Sequence, residues 1–437
     1  MADRRQHVVI IVVNLPAERD RRVIRECQAL EAAGYRVSVI CPRGPRGLTR
    51  LPGTTATRIR SFPQPLAGAG VLSFAAEFGW ALLAVTGRLI GIMLRDRVDG
   101  VQACNPPDVF WVVGLVVRAL GRPFVFDHHD LSPELYQCKT DRPRRSVLAV
   151  LRLLERLSWR CASAVVATNE SYRELAINRG GCDPDRVVVV RNGPTLAEVG
   201  AVGSTVPAPR GPAGTGGARA TTADATRHTI VYLGVINPQD HVDLAVLAAE
   251  RLRALRPADD WRLVVAGDGD SLADLRRLTA ERAVDDVVAF TGWLEADQVD
   301  ALLRSASIAL QPDPPSPMAE LSTMAKTVEY VARGLPVVAA DLLETRRTAG
   351  SAARYVPTGS PDELARALDQ LLSDVAGRTA MREVARRRFT EELAWDHQVK
   401  SYIRLWRRLL TPSDLRYNST ALSNGTDSVR HIPGQPR

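Results

Sequence analysis

The chain has no C-x-x-C pair, and its six cysteines are scattered between positions 27 and 182. That spacing fits neither a disulfide framework nor a structural zinc site, so free reduced thiols are expected. Aromatic residues make up only 5% of the chain, and RNA-binding and zinc-finger signatures are missing, which argues against a nucleic-acid partner. The chain starts without a signal-peptide pattern, so we expect a cytoplasmic location.

A long uninterrupted apolar run is also missing. The most apolar stretch, residues 71–94, is broken by Glu77 and Arg88. This pattern favours an amphipathic or buried helix over a membrane span.

Acidic residues are scarce in the first half relative to basic ones. The formal net charge is +8, and residues 1–200 contain 28 Arg and Lys against 19 Asp and Glu, or +9, which leaves −1 for the remainder. A basic first half indicates a polyanionic partner, such as an anionic membrane or a phosphorylated substrate.

Short β-branched runs alternate with helical patterns along most of the chain. In the first half the runs are HVVIIVV, YRVSVICP, GVQAC, PFVFD, SAVVAT and RVVVV; in the second half they are TIVYLG, WRLVVAG, VVAFTG, SIALQP and LPVVAA. Strands that alternate with helices predict an α/β fold with parallel sheets. The length and the two series predict two doubly wound Rossmann-like domains that face a cleft at the carboxyl ends of their strands.

Composition places the boundaries between these units. Residues 200–227 are rich in Gly, Ala, Pro and Thr and have few large apolar side chains, so a flexible linker is expected. The first domain then covers residues 1–199 and the second covers 228–393. We expect residues 394–410 to form a helix that returns to the first domain, and the polar tail 411–437 to be disordered.

The sharpest motif is LSTMAKTVEYVARGLPVVAAD, at residues 321–341. It predicts a Ser-Thr loop, a helix closed by Gly334, and a strand. Free amides at such a helix start suit a phosphate, and Lys326 on the first turn adds a positive charge. Glu329, one turn later, can accept two hydrogen bonds from a ribose diol. The alternative is an ordinary Glu–Lys surface pair, which the surrounding pattern disfavours.

This segment resembles the donor-site helix of family-4 retaining glycosyltransferases, which have the two-Rossmann B-type fold, and within them an exopolysaccharide or cell-surface glycan subgroup. The resemblance implies that Ser322, Thr323, Met324 and Glu329 bind a nucleoside diphosphate sugar and that Lys326 assists catalysis. The sequence departs from the family's Glu-x7-Glu motif, because its first glutamate falls at Leu321. Glu320 lies one residue away from that position.

Two glycine-containing loops follow strands in the second half. Gly234 ends the first strand, and Gly267 and Gly269 follow the next one, where the lack of a side chain permits close approach of a ligand. The resemblance assigns all three to the donor site, together with Gln239 and Asp240, which replace the Arg and Lys of many relatives. A helix-capping role for Asp240 is an equal alternative. The same resemblance makes Arg191, near the hinge, an outlying donor contact.

The first half ends one strand in PFVFDHHD, which contains His128 and His129. The resemblance aligns His129 with a catalytic histidine beside the donor sugar, where it can donate a hydrogen bond as charge develops. It places His128, Asp20 and Arg21 on the acceptor side. FTGW, at residues 290–293, would border the base, with Trp293 interpreted as a packing residue.

Residues 141–160 predict a basic amphipathic helix. Its arginines fall on one face, at positions 145, 152, 156 and 160. An ordinary solvated helix face is the simpler interpretation, and contact with anionic lipid is the functional one.

Together these features predict transfer of a sugar from a nucleoside diphosphate donor to a lipid-linked or polysaccharide acceptor. The enzyme would then lie in the cytoplasm, peripherally at the inner face of the plasma membrane. No cofactor or metal is expected, because no D-x-D motif lies at a suitable strand end. A sugar-nucleotide 2-epimerase and a non-catalytic nucleotide-sugar-binding protein remain as alternatives.

Overall fold

A computed structural model describes residues 5–64, 71–140, 142–200, 227–256, 260–357 and 359–411. Its core consists of two parallel sheets, each covered by helices on both faces. This arrangement confirms the predicted α/β class with two doubly wound domains.

Seven strands of the described residues form the first sheet, in the order β3-β2-β1-β4-β5-β6-β7. All of its pairings are parallel. The order reverses between β1 and β4, which is where doubly wound sheets open a crevice for ligands. The strands are β1 His7–Ile11, β2 Arg36–Pro42, β3 Arg58–Phe62, β4 Gly100–Cys104, β5 Phe124–His128, β6 Ala164–Ala167 and β7 Val187–Val189.

Six strands of the described residues form the second sheet, in the order β10-β9-β8-β11-β12-β13, again all parallel. Its order reverses between β8 and β11. The strands are β8 His228–Leu233, β9 Trp261–Ala266, β10 Val288–Gly292, β11 Ile308–Gln311, β12 Val337–Ala340 and β13 Ala353–Val356. Strands β3 and β13 were not predicted from the sequence pattern.

The connections between the strands supply the helices. In the first domain they are α1 Arg21–Ala32, α2 Val71–Met93, α3 Trp111–Ala119, α4 Ser132–Cys138, α5 Arg145–Cys161, α6 Glu170–Asn178 and α7 Leu196–Gly200. In the second domain they are α8 Asp243–Leu255, α9 Leu272–Glu281, α10 Ala296–Ser305, α11 Pro317–Leu321, α12 Ala325–Ala332, α13 Leu343–Ala349, α14 Pro361–Ser373 and α15 Val375–Arg388. A final helix, α16 Trp395–Leu410, follows.

Helix α16 packs on the first domain although it follows the second in sequence. Tyr402 and Trp406 are fully buried in the cluster that also contains residues of β1, β2 and α1. The fit is close, because a Cβ at Gly100 would lie 2.6 Å from the Trp406 ring. The second domain is therefore connected to the first at both of its ends. The predicted linker and tail lie almost wholly outside the described residues, at 201–226 and 412–437.

Candidate active site

Lys326 lies where the second sheet reverses its strand order. It is on the first turn of α12 and 8% exposed, and its Cε would be 3.3 Å from a Cβ at Gly234, the residue that follows β8. Its ammonium lies 4.8 Å from the centre of the Tyr232 ring. The Thr327 amide donates to the carbonyl of the N-cap residue Met324 at 3.0 Å. The amides of Ala325 and Lys326 precede it at the helix start, so this corner combines a buried positive charge with backbone donors that the helix itself does not use.

Tyr330 fixes α12 at this corner. Its hydroxyl accepts a hydrogen bond from the Leu233 amide at 2.8 Å and donates to the Leu310 carbonyl at 3.3 Å. These partners belong to β8 and β11, the two strands at which the order reverses. The helix that carries Lys326 is thus bonded directly to both of them.

Asp313 is the partner of Lys326, and the sequence analysis did not identify it. The ammonium donates to both carboxylate oxygens, at 3.0 and 3.1 Å, and Asp313 is 4% exposed. Burial opposes protonation of the lysine, but the Asp313 carboxylate outweighs it and raises the pKa of Lys326. Asp313 comes two residues after β11, so its position at a strand end was the available signal.

The loops that contain Gly234, Gly267 and Gly269 pack against one another. A Cβ at Gly267 would lie 1.8 Å from the Gly234 carbonyl oxygen, and one at Gly269 would lie 2.4 Å from the Ile236 carbonyl oxygen. Gly267 has φ +148°, which also favours glycine. These contacts hold the loops after β8 and β9 together, and they account for Gly267 and Gly269 without a ligand.

Asp240 and Gln239 form a short turn beside Lys326. The Asp240 carboxylate accepts a hydrogen bond from the Asn237 amide at 3.2 Å, so it closes the 3-10 turn rather than capping α8. Burial raises the pKa of Asp240, and the nearby Lys326 charge limits the rise. Gln239 is half-buried. Their contact with the donor remains a prediction.

Glu329 faces two arginines. It pairs with Arg333 one turn later, and Arg21 from the first domain approaches its carboxylate at 3.8 Å. Arg21 therefore lies across the cleft from α12, while 63% of its side chain remains exposed. The predicted acceptor-side residue and the predicted ribose ligand are brought together.

The Ser-Thr loop bridges the two domains. The Ser322 hydroxyl lies 3.2 Å from the Tyr172 hydroxyl, and the Asn169 side-chain nitrogen donates to the Thr323 hydroxyl at 3.1 Å. The Thr323 hydroxyl in turn donates to the buried Glu344 carboxylate. Met324 is the N-cap residue of α12, and its side chain is half-buried.

Glu320, one residue from the missing first glutamate, is bonded to the start of α13 in this structure. Its carboxylate accepts a hydrogen bond from the Leu343 amide at 2.8 Å, at the start of α13. Leu321, at the motif position itself, packs against the apolar core of the first domain. That position thus contributes to the domain contact in this chain.

His129 is fixed by two side chains of the first domain. Its ring Nε2 lies 2.8 Å from the Asp127 carboxylate, and its backbone amide donates to the Asn105 side chain at 2.6 Å. Burial opposes ionisation of Asp127, but the Arg22 guanidinium lowers its pKa, so the carboxylate can only accept. The ring Nε2 then carries a proton, which leaves Nδ1 for a ligand.

A buried polar network surrounds Asp127. Arg22 binds it through two nitrogens, at 2.9 and 3.2 Å, and Gln102 donates to it at 3.0 Å. Burial and the adjacent Asp127 charge raise the pKa of Glu26 well above its usual range, while Arg22, 3.1 Å from the Glu26 carboxylate, opposes that rise. The Tyr402 hydroxyl of α16 donates to the side-chain amide oxygen of Gln102 at 2.8 Å, which connects the last helix to this network.

His128 does not face the acceptor, and that prediction is wrong. It is the last residue of β5 and fully buried, with its ring 5.5 Å from that of Phe126 and 5.2 Å from that of Trp159. The nearest carboxylate oxygen belongs to Glu155, at 3.6 Å. Adjacent strand residues point to opposite sides of a sheet, so His128 and His129 cannot share a role.

Asp20 and Arg191 serve structural contacts. The Asp20 carboxylate accepts the amides of Arg22 and Val23 and so caps α1. The Arg191 amide donates to the Gln398 side chain at 3.1 Å, and its guanidinium approaches Glu344 at 3.7 Å. Any contact of either residue with a substrate remains a prediction.

Trp293 does not pack inside the protein, contrary to the sequence interpretation. It follows β10 and is 72% exposed. The preceding Gly292 accepts a hydrogen bond from the Gly267 amide at 3.0 Å. The indole ring therefore projects from the edge of the second domain beside the glycine loops.

The geometry defines a protein with two Rossmann-type domains that meet at a cleft. The second domain contributes a buried lysine at a helix start, Lys326, and the first contributes His129. Two family models match most of this chain: "Glycosyl transferase 4-like domain" over residues 20–193 and "Glycosyl transferases group 1" over residues 227–374. The chain belongs to the family-4 glycosyltransferases of GT-B type.

Named relatives agree with this assignment. A D-inositol 3-phosphate glycosyltransferase from Kineococcus radiotolerans is 29% identical over 262 residues, which cover 56% of this chain and 57% of that protein. The chain spans about half the length of the curated relatives it matches.

Two solved structures share the fold. Sucrose-phosphate synthase from Thermosynechococcus elongatus superposes with a TM-score of 0.68 at 17% identity, covering 93% of this chain and 99% of that one. WaaG, a glycosyltransferase involved in lipopolysaccharide biosynthesis, gives 0.63 at 16% identity, covering 90% and 98%.

Proposed function

We propose that this enzyme transfers a sugar from a nucleoside diphosphate sugar to an acceptor, with retention of anomeric configuration. The observation that carries the proposal is Lys326, buried on the first turn of α12 beside Gly234. A positive charge, unpaired helix amides and a close glycine at a strand-order reversal suit a diphosphate. Glu329, one turn later, is within reach of the attached ribose.

Binding of a diphosphate would compete with Asp313 for Lys326. The ammonium has three N–H donors and two are used by one carboxylate, so a phosphate oxygen can take the third or displace one. Asp313 then serves to hold the lysine charged and oriented in the buried corner. This role explains why Asp313, a negative charge, lies where an anionic ligand is expected to bind.

Catalysis would rest on positioning and charge stabilisation. The sequence offers no glycosidase-type pair of carboxylates, so we favour a front-face reaction in which the leaving phosphate helps to deprotonate the acceptor. Lys326 and the α12 amides stabilise the charge on the departing diphosphate. His129, held through Asp127, offers its Nδ1 to the donor sugar near the reacting carbon.

No metal is needed in this scheme. Among the described residues, Cys104, Asp127 and His129 place ligand atoms within 4.8 Å of one another. Arg22 already binds that Asp127 carboxylate at 2.9 Å, so a metal ion there would lie beside a buried positive charge. The diphosphate charge is assigned to Lys326 and the helix amides instead.

We propose a lipid-linked or polysaccharide acceptor of a cell-surface glycan, with the enzyme in the cytoplasm at the inner face of the membrane. Two features support this: the basic first domain, and the exposed arginines of α5 at positions 145, 152, 156 and 160. A soluble phosphorylated polyol is the second acceptor class, favoured by the name of the Kineococcus relative.

Donor binding can be tested with a thermal-shift panel of nucleoside diphosphates and their sugars, followed by calorimetry on those that stabilise the protein. One base is expected to raise the melting temperature, and its sugar conjugate to bind through the same site. Equal, negligible shifts for every nucleotide would contradict the proposal. A nucleoside without phosphates is the matched control and should bind far more weakly.

A further inference from the structure

Helix α2 has apolar side chains on both of its sides. Residues 81, 85, 89 and 92 form a stripe that packs into the core of the first domain. On the outer side, Trp80 is 43% exposed, Leu83 71% and Ile90 51%. Large apolar side chains are normally buried against a partner, so their exposure here shows that the outer side of α2 lacks a covering partner within the described chain.

By length and composition alone, part of this helix, Ala76–Met93, could cross a membrane, and only 22% of that window is buried. The buried residues 81, 85, 89 and 92, however, pack α2 against the first sheet as one of the helices that cover it. The exposed apolar side chains therefore call for a surface that lies alongside the helix.

The neighbouring helices of the same layer repeat this feature. Both α3 and α5 cover the same face of the first sheet as α2, and they contact each other. On α3, Leu115 and Val116 are 52% and 58% exposed, and on α5, Val150 and Leu153 are 54% and 55% exposed. We call the outer side of α2, α3 and α5 the apolar-basic layer. Large apolar side chains exposed on three helices that cover one face of a sheet indicate an interaction surface.

The exposed charges of the apolar-basic layer are mostly positive. Across the described residues of its three helices, the acidic side chains are Glu77 and Glu155, and Glu155 is buried against Arg179. Six arginines lie on the same helices, all of them exposed: positions 88, 118, 145, 152, 156 and 160. A surface of exposed leucine, valine and tryptophan among arginines matches the acyl boundary and phosphates of an anionic bilayer.

A second copy of the chain is a poorer occupant. A symmetric dimer through this face would bring the arginine sets of both copies together, and like charges across an interface oppose association. A bilayer supplies apolar depth and negative charge at once.

We propose that the apolar-basic layer inserts shallowly into an anionic lipid surface, with the leucines and valines in the acyl boundary and the arginines at the phosphates. This inference extends the proposed membrane location, and it names hydrophobic insertion, not charge alone, as the source of affinity. It predicts a binding component that survives salt, because screening weakens the arginine contacts and leaves apolar burial intact.

Vesicle flotation tests the inference with two matched double variants. Leu83→Ser/Val116→Ser removes one exposed leucine and one exposed valine from the layer. Leu255→Ser/Val375→Ser removes the same residue types from the second domain, where they are 52% and 65% exposed. With vesicles of phosphatidylglycerol and phosphatidylcholine in equal parts, we expect the layer variant to lose about tenfold in affinity and the control to match wild type.

Three results would overturn the proposal: equal binding by both variants, no wild-type binding to anionic vesicles, or wild-type binding abolished entirely by salt. A wild-type dimer that the layer variant dissociates would assign the surface to a second copy. Calorimetry with nucleotide separates this proposal from the proposed function. A wild-type protein that binds nucleotide but not anionic vesicles contradicts only the membrane surface, and one that binds anionic vesicles but no nucleotide contradicts only the donor site.

Discussion

The Lys326–Asp313 pair allows the structural and ligand-binding roles of one lysine to be separated. Lys326→Met keeps the length and apolar packing of the side chain but leaves Asp313, 4% exposed, without its cation. Breaking a buried pair on one side costs about 3–5 kcal/mol. Protonating the carboxyl instead costs about 4 kcal/mol near neutral pH, from a reference pKa of about 3.9. The two figures agree, and they correspond to a fall of roughly 6–20 °C in melting temperature.

The double variant Lys326→Met/Asp313→Asn removes both charges and should recover most of that stability. It should not recover nucleoside diphosphate binding, which we expect to be about 10–150-fold weaker than in wild type, as for the loss of a charged hydrogen bond of about 1.5–3 kcal/mol. Asp313→Asn alone retains the lysine charge and should still bind. Calorimetry and thermal unfolding measure both quantities on the same samples. A double variant that is stable and binds nucleotide like wild type would refute the phosphate role of Lys326.

Three further predictions address other residues. Glu329→Ala should weaken nucleotide-sugar binding by about 10–150-fold through loss of a charged acceptor for the ribose, and unchanged affinity in calorimetry would remove it from the site. His129→Ala should lower kcat by about 10²-fold with little effect on donor affinity; equal turnover would leave the ring as a strand-end packing residue. Burial raises the pKa of Asp108 to about 6, so its contribution to stability is present below the unfolded pKa and is lost as pH rises towards 6. The unfolding free energy of Asp108→Asn relative to wild type should therefore increase by about 3 kcal/mol as the pH rises from about 3.5 to 7.5. A difference in denaturant unfolding that does not change with pH would contradict this.

The continuous β-branched runs made most of the fold predictable, because strands buried on both faces carry that pattern whatever surrounds them. β3, with sequence RIRSF, alternates polar and apolar residues at a sheet edge, and β13 has only four residues. Neither gives a signal that separates it from a loop.

Helix α12 was predictable because its signals are local: an N-terminal loop, a lysine on the first turn and a closing Gly334. The partner of that lysine was not, since Asp313 lies 13 residues upstream on a different element and meets it only through the sheet. The inward orientation of His128 was within reach of the sequence. Phe126 stands two residues earlier on the same strand, and side chains two apart share a face.

The Asp127 network depended on tertiary structure. Arg22, Gln102 and Tyr402 come from three distant segments, and the network is complete only because α16 returns to the first domain. The sequence shows that Asp127 lies near His129, but it does not show that Arg22 is buried beside Asp127 and keeps that carboxylate ionised.

The most direct test of the central claim is to follow labelled sugar nucleotides with the purified enzyme, with and without a lipid extract as acceptor, and to resolve the products. We predict that nucleoside diphosphate is released only when acceptor is present, and that the sugar appears on the acceptor with the anomeric configuration it had in the donor. Inversion at carbon 2 of the donor sugar without any acceptor would identify an epimerase instead. Tight nucleotide binding with no turnover on lipid-linked, polysaccharide or phosphorylated polyol acceptors would contradict transfer altogether.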